Sequence, residues 1–320
     1  MNDSAAISAS LAFVFPGQGS QSVGMLAELA ALSPLVRQTF DEASAGAGVD
    51  LWALSQAGPE EELNRTENTQ PALLAASIAV WRVWRERGGR LPAQLAGHSL
   101  GEYSALVAAG VLSLHDAAAL VAERGRLMQA AVPAGVGAMA AIIGGEDEQI
   151  AQVCAEVAAG DVVAPANYNS PGQLVIAGHA AAVDRALARL AELGVKRAVK
   201  LAVSVPSHCD LMRDAAVRLA GRMDAIAWNP PTIPVIHNAD ARAHDSLPAI
   251  RDALQRQLYQ PVRWTGCVQA LAAGGAARIY ECGPGKVLAG LIKRIDKNIA
   301  TRAIAVPAEL EAALADTDPA

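Results

Sequence analysis

The sequence predicts an α/β fold with a parallel-sheet core and a smaller β-α-β-β-α-β unit inserted into it. Three observations point that way. Apolar residues make up 52% of the 320 residues but aromatics only 4%, which favours alanine-rich helices packed closely on a sheet over a β-sandwich. Short apolar runs lead repeatedly through glycine turns into amphipathic patterns, the order strand, tight turn, helix. The middle third changes rhythm, with a turn-linked strand pair between two helical stretches.

In order, Leu11 to Phe15 reads as a strand running into Pro16-Gly17-Gln18-Gly19-Ser20, with a helix through Met25, Leu26 and Leu29 after it. Thr69-Gln70-Pro71 is expected to open a helix, because proline is tolerated in the first turn, and Gly88-Gly89 to stop it. A short strand, Gln94 to Gly97, precedes Ser99-Leu100-Gly101-Glu102 and a new helix, and a further helix is read from Ser113 to Gln129. The inserted unit then runs through strand Gly137 to Ile143, helix Asp147 to Ala158 and strands Val162 to Asn167 and Gln173 to Ala177. Helix Ala181 to Leu193 and strand Arg197 to Val203 complete it. Asn169-Ser170-Pro171-Gly172 is the turn between the paired strands. This is the ferredoxin-like order. The expected division is residues 1–132 and 205–320 for the large α/β part and 133–204 for the small one. Helix Leu211 to Met223, strand Val235-Ile236, a helix ending near Leu258, helix Val262 to Ala273 and strand Ala277 to Cys282 follow, and Gly283-Pro284-Gly285 leads into a final helix.

A net charge of −6 lacks the basic footprint of a nucleic-acid binder. Cys154, Cys209, Cys267 and Cys282 have neither a CxxC pair nor metal-ligand spacing, so they read as reduced core thiols, and no metal is expected. The first ten residues lack the basic region of a signal peptide, and no apolar run is long enough to span a bilayer. A cytoplasmic monomer away from the membrane is the expectation.

Gly97-His98-Ser99-Leu100-Gly101 matches G-x-S-x-G, the sharp strand-to-helix turn that exposes a serine nucleophile. The apolar strand before it and the helical pattern after it are the context this motif requires. Of six histidines, His208 lies in a proline turn between strand and helix, where α/β folds place catalytic groups, and His237, after an apolar strand, is its rival. His98 points away from its neighbour's side chain, and His115, His179 and His244 read as surface. Arg124 falls inside the apolar stripe formed by Leu120, Val121, Leu127 and Met128. A buried guanidinium needs a partner, either an internal carboxylate such as Glu123 or a substrate carboxylate held bidentately. The loop Pro16 to Gln21 offers backbone amides through its glycines but is neither G-x-G-x-x-G nor a P-loop, so it reads either as a loop that approaches a ligand or as a tight structural turn, and not as a nucleotide cradle.

Together these residues resemble the bacterial malonyl-CoA:acyl-carrier-protein transacylases, part of the wider acyltransferase-domain family. The matching segments are Phe13 to Met25, Gly97 to Leu106, Arg124 to Met128 and Gly137 to Gly144. Asn169 to Gln173, Val205 to Cys209, Gln257 to Trp264 and Glu281 to Lys286 continue the match in family order. The resemblance implies that Ser99 is the acyl nucleophile, His208 its general base and Gln257 the group whose side-chain carbonyl fixes the imidazole tautomer. It further implies that Arg124 binds the malonyl carboxylate and that the amides of Gln18 and Leu100 form the oxyanion hole. A hydrolase-like core is the implied fold.

The implied reaction is ping-pong: malonyl-CoA acylates Ser99, coenzyme A leaves, and the phosphopantetheine thiol of holo acyl carrier protein takes the malonyl group. No cofactor is expected beyond that carrier-borne group. Acidic carriers favour a local basic patch; Lys286, Lys293, Arg294 and Lys297 form one candidate, and Lys196, Arg197 and Lys200 another. The alternatives are a serine hydrolase or thioesterase with Asp240 as acidic third member, a malonyl transferase serving a polyketide synthase, and a scaffold without activity.

Overall fold

The computed structural model describes residues 7–133, 135–201 and 205–316. Strand β1 (Ile7–Phe15) comes first. Helices α1 (Ala27–Leu32), α2 (Leu35–Ala47), α3 (Leu51–Ala57), the single turn α4 (Glu60–Leu63) and the long α5 (Thr66–Glu86) separate it from β2 (Leu91–Gly97). Next come α6 (Gly101–Ala108) and α7 (Leu114–Ala131). A second sheet follows: β3 (Gly137–Ile143), α8 (Asp147–Val157), β4 (Val163–Ser170), β5 (Gln173–His179), α9 (Ala180–Glu192) and β6 (Arg197–Lys200). The chain then returns through α10 (Arg213–Met223), β7 (Val235–Ile236), α11 (Leu247–Gln257), α12 (Trp264–Ala273), β8 (Arg278–Glu281), α13 (Val287–Ile295), β9 (Ala300–Ala303) and α14 (Pro307–Ala315).

The first sheet is parallel with strand order β7-β2-β1-β8-β9. Alternation along β1 divides the core. Leu11, Phe13 and Phe15 face one helical layer; Ala12 and Val14 face the other, which α12 and α13 supply. Phe13 meets Trp81 and Trp84 edge-on, with ring centroids 5.7 and 5.2 Å away. The second sheet is antiparallel, ordered β4-β5-β3-β6, the ferredoxin-like pattern. Ala140 and Ile142 pack on α8 and α9, whereas Met139 faces Cys209 in the main body. Backbone bonds between Tyr168, Ala166 and Val262 stitch β4 to the segment preceding α12.

Register brings four strand ends to one edge. Phe15 lies beside Gly97, Val14 beside Glu281, and Ala96 beside Ile236. The carboxyl ends of parallel strands are where open α/β sheets hold ligands.

Four details differ from the sequence reading. Helix α5 begins at Thr66, so Pro71 lies inside it rather than in its first turn. The Arg65 carbonyl winds the first turn by taking the amides of Asn68 and Thr69, and proline then costs only the bond to Glu67. Strand β6 ends at Lys200, and the end of the expected strand, at 202 and 203, lies outside the described residues. Met25 and Leu26 precede α1 rather than forming it, with Leu26 in the left-handed region at φ 61°. Strand β9 and helix α14 follow what was read as the final helix.

Candidate active site

Gly97 ends β2, Gly101 starts α6, and Ser99 stands between them at φ 51°, a left-handed conformation strained for serine. A Cβ on Gly97 would overlap the Gly101 carbonyl, and one on Gly101 the Phe15 carbonyl. The G-x-S-x-G spacing is therefore set by steric contact, in which the turn folds on itself and against the end of β1. Asn238, just past β7, holds the turn from behind: its Oδ1 accepts from the Ser99 amide (2.8 Å) and its Nδ2 donates to the Gly97 carbonyl (2.7 Å).

His208 approaches from the loop before α10, itself at φ 62° and 3% exposed. Its Nε2 lies 2.8 Å from Ser99 Oγ. Its Nδ1 lies 2.7 Å from the backbone carbonyl of Gln257. A carbonyl only accepts, so Nδ1 carries the proton and Nε2 is free to take one from serine. Burial, aided by the Arg124 charge, pushes the imidazole down to about 3, which keeps it neutral.

This corrects one expectation. It is the backbone carbonyl of Gln257, not its side chain, that hydrogen-bonds the imidazole. Gln257 closes α11, where a last-turn carbonyl has no helical donor and is left for His208. The side chain turns inward: Oε1 accepts from Arg124 Nη2 (3.1 Å), and Nε2 donates to the Ser99 carbonyl (2.8 Å) and to Glu102 (2.9 Å).

Arg124 is 1% exposed on α7. Nη1 donates to Gln70 Oε1 (2.7 Å), Nη2 lies 3.4 Å from Ser99 Oγ, and Nε has no acceptor. Glu123, the internal carboxylate considered for it, pairs instead with Arg126 and Arg222. Desolvation lowers the guanidinium below its ordinary value, with Tyr103 and Glu102 pulling back. No carboxylate among the described residues lies within ion-pair distance of it. The site thus holds a buried cation with donor capacity to spare.

Gln18 and Leu100 line the same cavity of about 140 Å³, beside Ser99, His208 and Arg124. Neither backbone amide has an acceptor among the described residues. The second sheet closes the cavity with Met139, Asn167 and the adjoining Leu201. His98 also lines it; its Nε2 meets Asn169 Oδ1 at 2.8 Å, and burial lowers its pKa.

The other candidates lie outside the cavity. His237 is fully buried against Glu102, its Nδ1 2.7 Å from Oε1. Asp240 takes Arg256 (2.9 Å) and His244 (3.0 Å) rather than His208, which removes it as an acidic triad member. All four cysteines are buried and unpaired. Among the described residues no His, Cys, Asp and Glu group could hold a metal, and no helix is long and apolar enough to cross a membrane. Sequence reasoning missed the parts played by Gln70, Glu102 and Asn238. Each has polar as well as apolar neighbours in the sequence, so the signal that singled out Arg124, a charge inside an apolar stripe, was missing.

The family model described as "Acyl transferase domain" matches residues 12–307. A relative from Salmonella typhimurium, called malonyl CoA-acyl carrier protein transacylase, is 59% identical over 95% of this chain and 98% of its own. One of the same name from Bacillus subtilis is 46% identical over 95% and 96%. Among solved structures, a malonyl-CoA:acyl carrier protein transacylase from Xanthomonas oryzae superposes with a TM-score of 0.96 at 68% identity, covering 97% of this chain and 98% of that one. A malonyl-transacylase in complex with its type II PKS acyl-carrier protein gives 0.95 at 55% identity, covering 96% and 100%.

Proposed function

The chain belongs to the acyl transferase domain family, and on that premise we propose that it moves a malonyl group from malonyl-CoA to the phosphopantetheine thiol of an acyl carrier protein. The observation that carries this reading is Arg124, a buried guanidinium without a carboxylate partner, 3.4 Å from the oxygen of a serine already paired to a histidine.

In the first half-reaction His208 Nε2 takes the proton of Ser99 Oγ, and Oγ attacks the thioester carbonyl carbon. The amides of Gln18 and Leu100 hold the oxyanion, each worth about 3 kcal/mol in such sites. The C–S bond then breaks and the coenzyme A sulfur leaves with the proton from His208. The second half runs the same steps with the carrier thiol as nucleophile. Arg124 selects: an acetyl group would leave its free N–H groups buried and unsatisfied, a malonyl carboxylate fills them. The Gln257 carbonyl keeps His208 in the tautomer this needs. We place the large catalytic part at residues 1–132 and 205–320, and the small part, 133–204, as the wall that closes over the acyl group.

For carrier docking, α13 is the better of the two basic candidates. Lys286, Lys293 and Lys297 are exposed on it or just beyond its ends, and Arg294 donates to Gln173 of the second sheet (2.7 Å). In the other cluster Lys200 is already paired with Asp184 (2.6 Å). Buried, unpaired thiols suit a cytoplasmic setting.

The test is intact-protein mass after mixing wild type and Ser99→Ala with malonyl-CoA. One malonyl adduct on wild type alone, discharged by holo carrier protein, is expected. Free malonate accumulating without carrier would move the assignment to a hydrolase.

A further inference from the structure

Glu102 has no part in the reaction as written, yet it is fully buried immediately behind the site. Its carboxylate accepts from His237 Nδ1 (2.7 Å), the Asn238 amide (3.0 Å) and Gln257 Nε2 (2.9 Å). His237 does not offset the charge: its Nε2 is buried without an acceptor, as suits a neutral ring donating through Nδ1 alone. Two buried charges thus stand on opposite ends of one amide. Arg124 donates to Gln257 Oε1 and Glu102 accepts from Gln257 Nε2. Because a guanidinium only donates and a carboxylate only accepts, the pair also dictates which way that amide points.

We propose that Glu102 is a positioning residue: the counter-charge of Arg124, held one amide away so that the guanidinium is compensated without being occupied. A direct ion pair would fill the donors the substrate carboxylate needs. No compensation at all would leave an isolated buried cation, which is strongly destabilising. The relay through Gln257 avoids both. The same carboxylate, through the Asn238 amide, anchors the residue that clamps both sides of the strained Ser99 turn. The charge that Glu102 exerts on Arg124 raises its pKa against the effect of burial.

Glu102→Gln is the informative change. The new amide can present its oxygen to Asn238 and Gln257 and its NH₂ to His237, whose tautomer reverses. The charge goes and the three hydrogen bonds remain, while the His237 Nε2–H left without an acceptor burdens the single and double variants alike. Thermal unfolding is then compared for Glu102→Gln, Arg124→Met and the double variant. The single Glu102→Gln variant should melt roughly 5 °C or more below wild type. The double variant should melt above Glu102→Gln alone, because the uncompensated cation has gone. Additive losses would overturn the proposal, since Glu102 would then be only a hydrogen-bond acceptor in the core. If Glu102→Gln does not fold, recovery of folded protein in the double variant supports the pairing and failure to recover it refutes it.

A second readout rests on the malonyl reading of the site. Charging with malonyl-CoA supplies a new counter-anion, so Glu102→Gln should gain more in melting temperature than wild type does; equal gains would overturn the proposal. A wild type that takes no adduct would instead sink the malonyl reading and leave the double-variant comparison to decide Glu102.

Discussion

Two strand-to-helix crossings flank β1, and each contains a fully buried glutamate. After β2 it is Glu102, and at the end of β8 it is Glu281. Glu281 accepts the amides of Leu288 (3.1 Å) and Ala289 (2.8 Å), the open N-terminus of α13. Its partners are backbone groups of one helix, so its work is to fix where that helix starts. Glu102 takes partners from the β7 end and the α11 end, two of them side chains. Equal burial therefore says little about role. What distinguishes a structural carboxylate from one that serves a site is whether its donors lead onward to reacting groups.

If that contrast holds, changes at the first crossing should reach the chemistry, whatever they also do to stability, and changes at the second should alter stability alone. The largest effect belongs to Ser99→Ala, which should lower malonyl transfer at least about a thousandfold with little change in melting temperature. Residual transfer near the wild-type rate would break the comparison at its centre. Next is Arg124→Met. The preference for malonyl-CoA over acetyl-CoA, measured as a ratio of kcat/KM values, should fall by roughly a hundredfold or more. An equal loss for both substrates would show that Arg124 holds the fold rather than the acyl carboxylate.

Gln257→Glu separates the two roles of one residue. The backbone carbonyl that orients His208 survives the change, but the new side chain would set a second carboxylate against Glu102 in a fully buried position. We expect a stability loss of about 3 kcal/mol or more, read by urea unfolding, because buried like charges cannot both remain ionised. A variant as stable as wild type would mean that the side chain had turned away, and would cut the link between the carboxylate and Arg124.

Much of the site was legible where the sequence alone imposes a physical demand. Ser99 stands between two glycines that only a self-touching turn requires, and Arg124 interrupts an apolar stripe. Gln257 was legible as a residue but not in its mode of action. Whether its backbone or its side chain meets His208 depends on where α11 ends, which the sequence pattern left open by a residue or two. Asn238 and Glu102 meet only through folding, 136 residues apart. Strand β9 was missed for a different reason: its four residues, Ala-Thr-Arg-Ala, have no apolar alternation, and pairing with β8 alone makes them a strand.

The smallest expected effect tests the second crossing through pH. Burial raises Glu281 from 4.5 to about 7, while the helix amides pull it back. A carboxylate with a raised folded-state pKa binds its proton more tightly folded than unfolded, so stability should fall as pH rises from about 4.5 through about 7. The full span is worth up to about 3 kcal/mol, and about 1 kcal/mol once other titrating groups overlap it. His208 works in the opposite sense over an overlapping range: its pKa is depressed from 6.5 to about 3, so stability falls as pH falls below the ordinary histidine value, and between about 4.5 and 6.5 the two groups offset each other. Glu281→Gln should therefore remove the fall, so that stability climbs with pH to about 6.5 and stays level from there to about 7, with the rate of Ser99 acylation unchanged. A variant profile that runs parallel to that of wild type between about pH 4.5 and 7 would show that Glu281 is ionised in the fold across the whole range. The amides of α13 would then compensate a buried charge as fully as the three donors of Glu102 do, and the two crossings would differ in what they hold but not in how well they hold it.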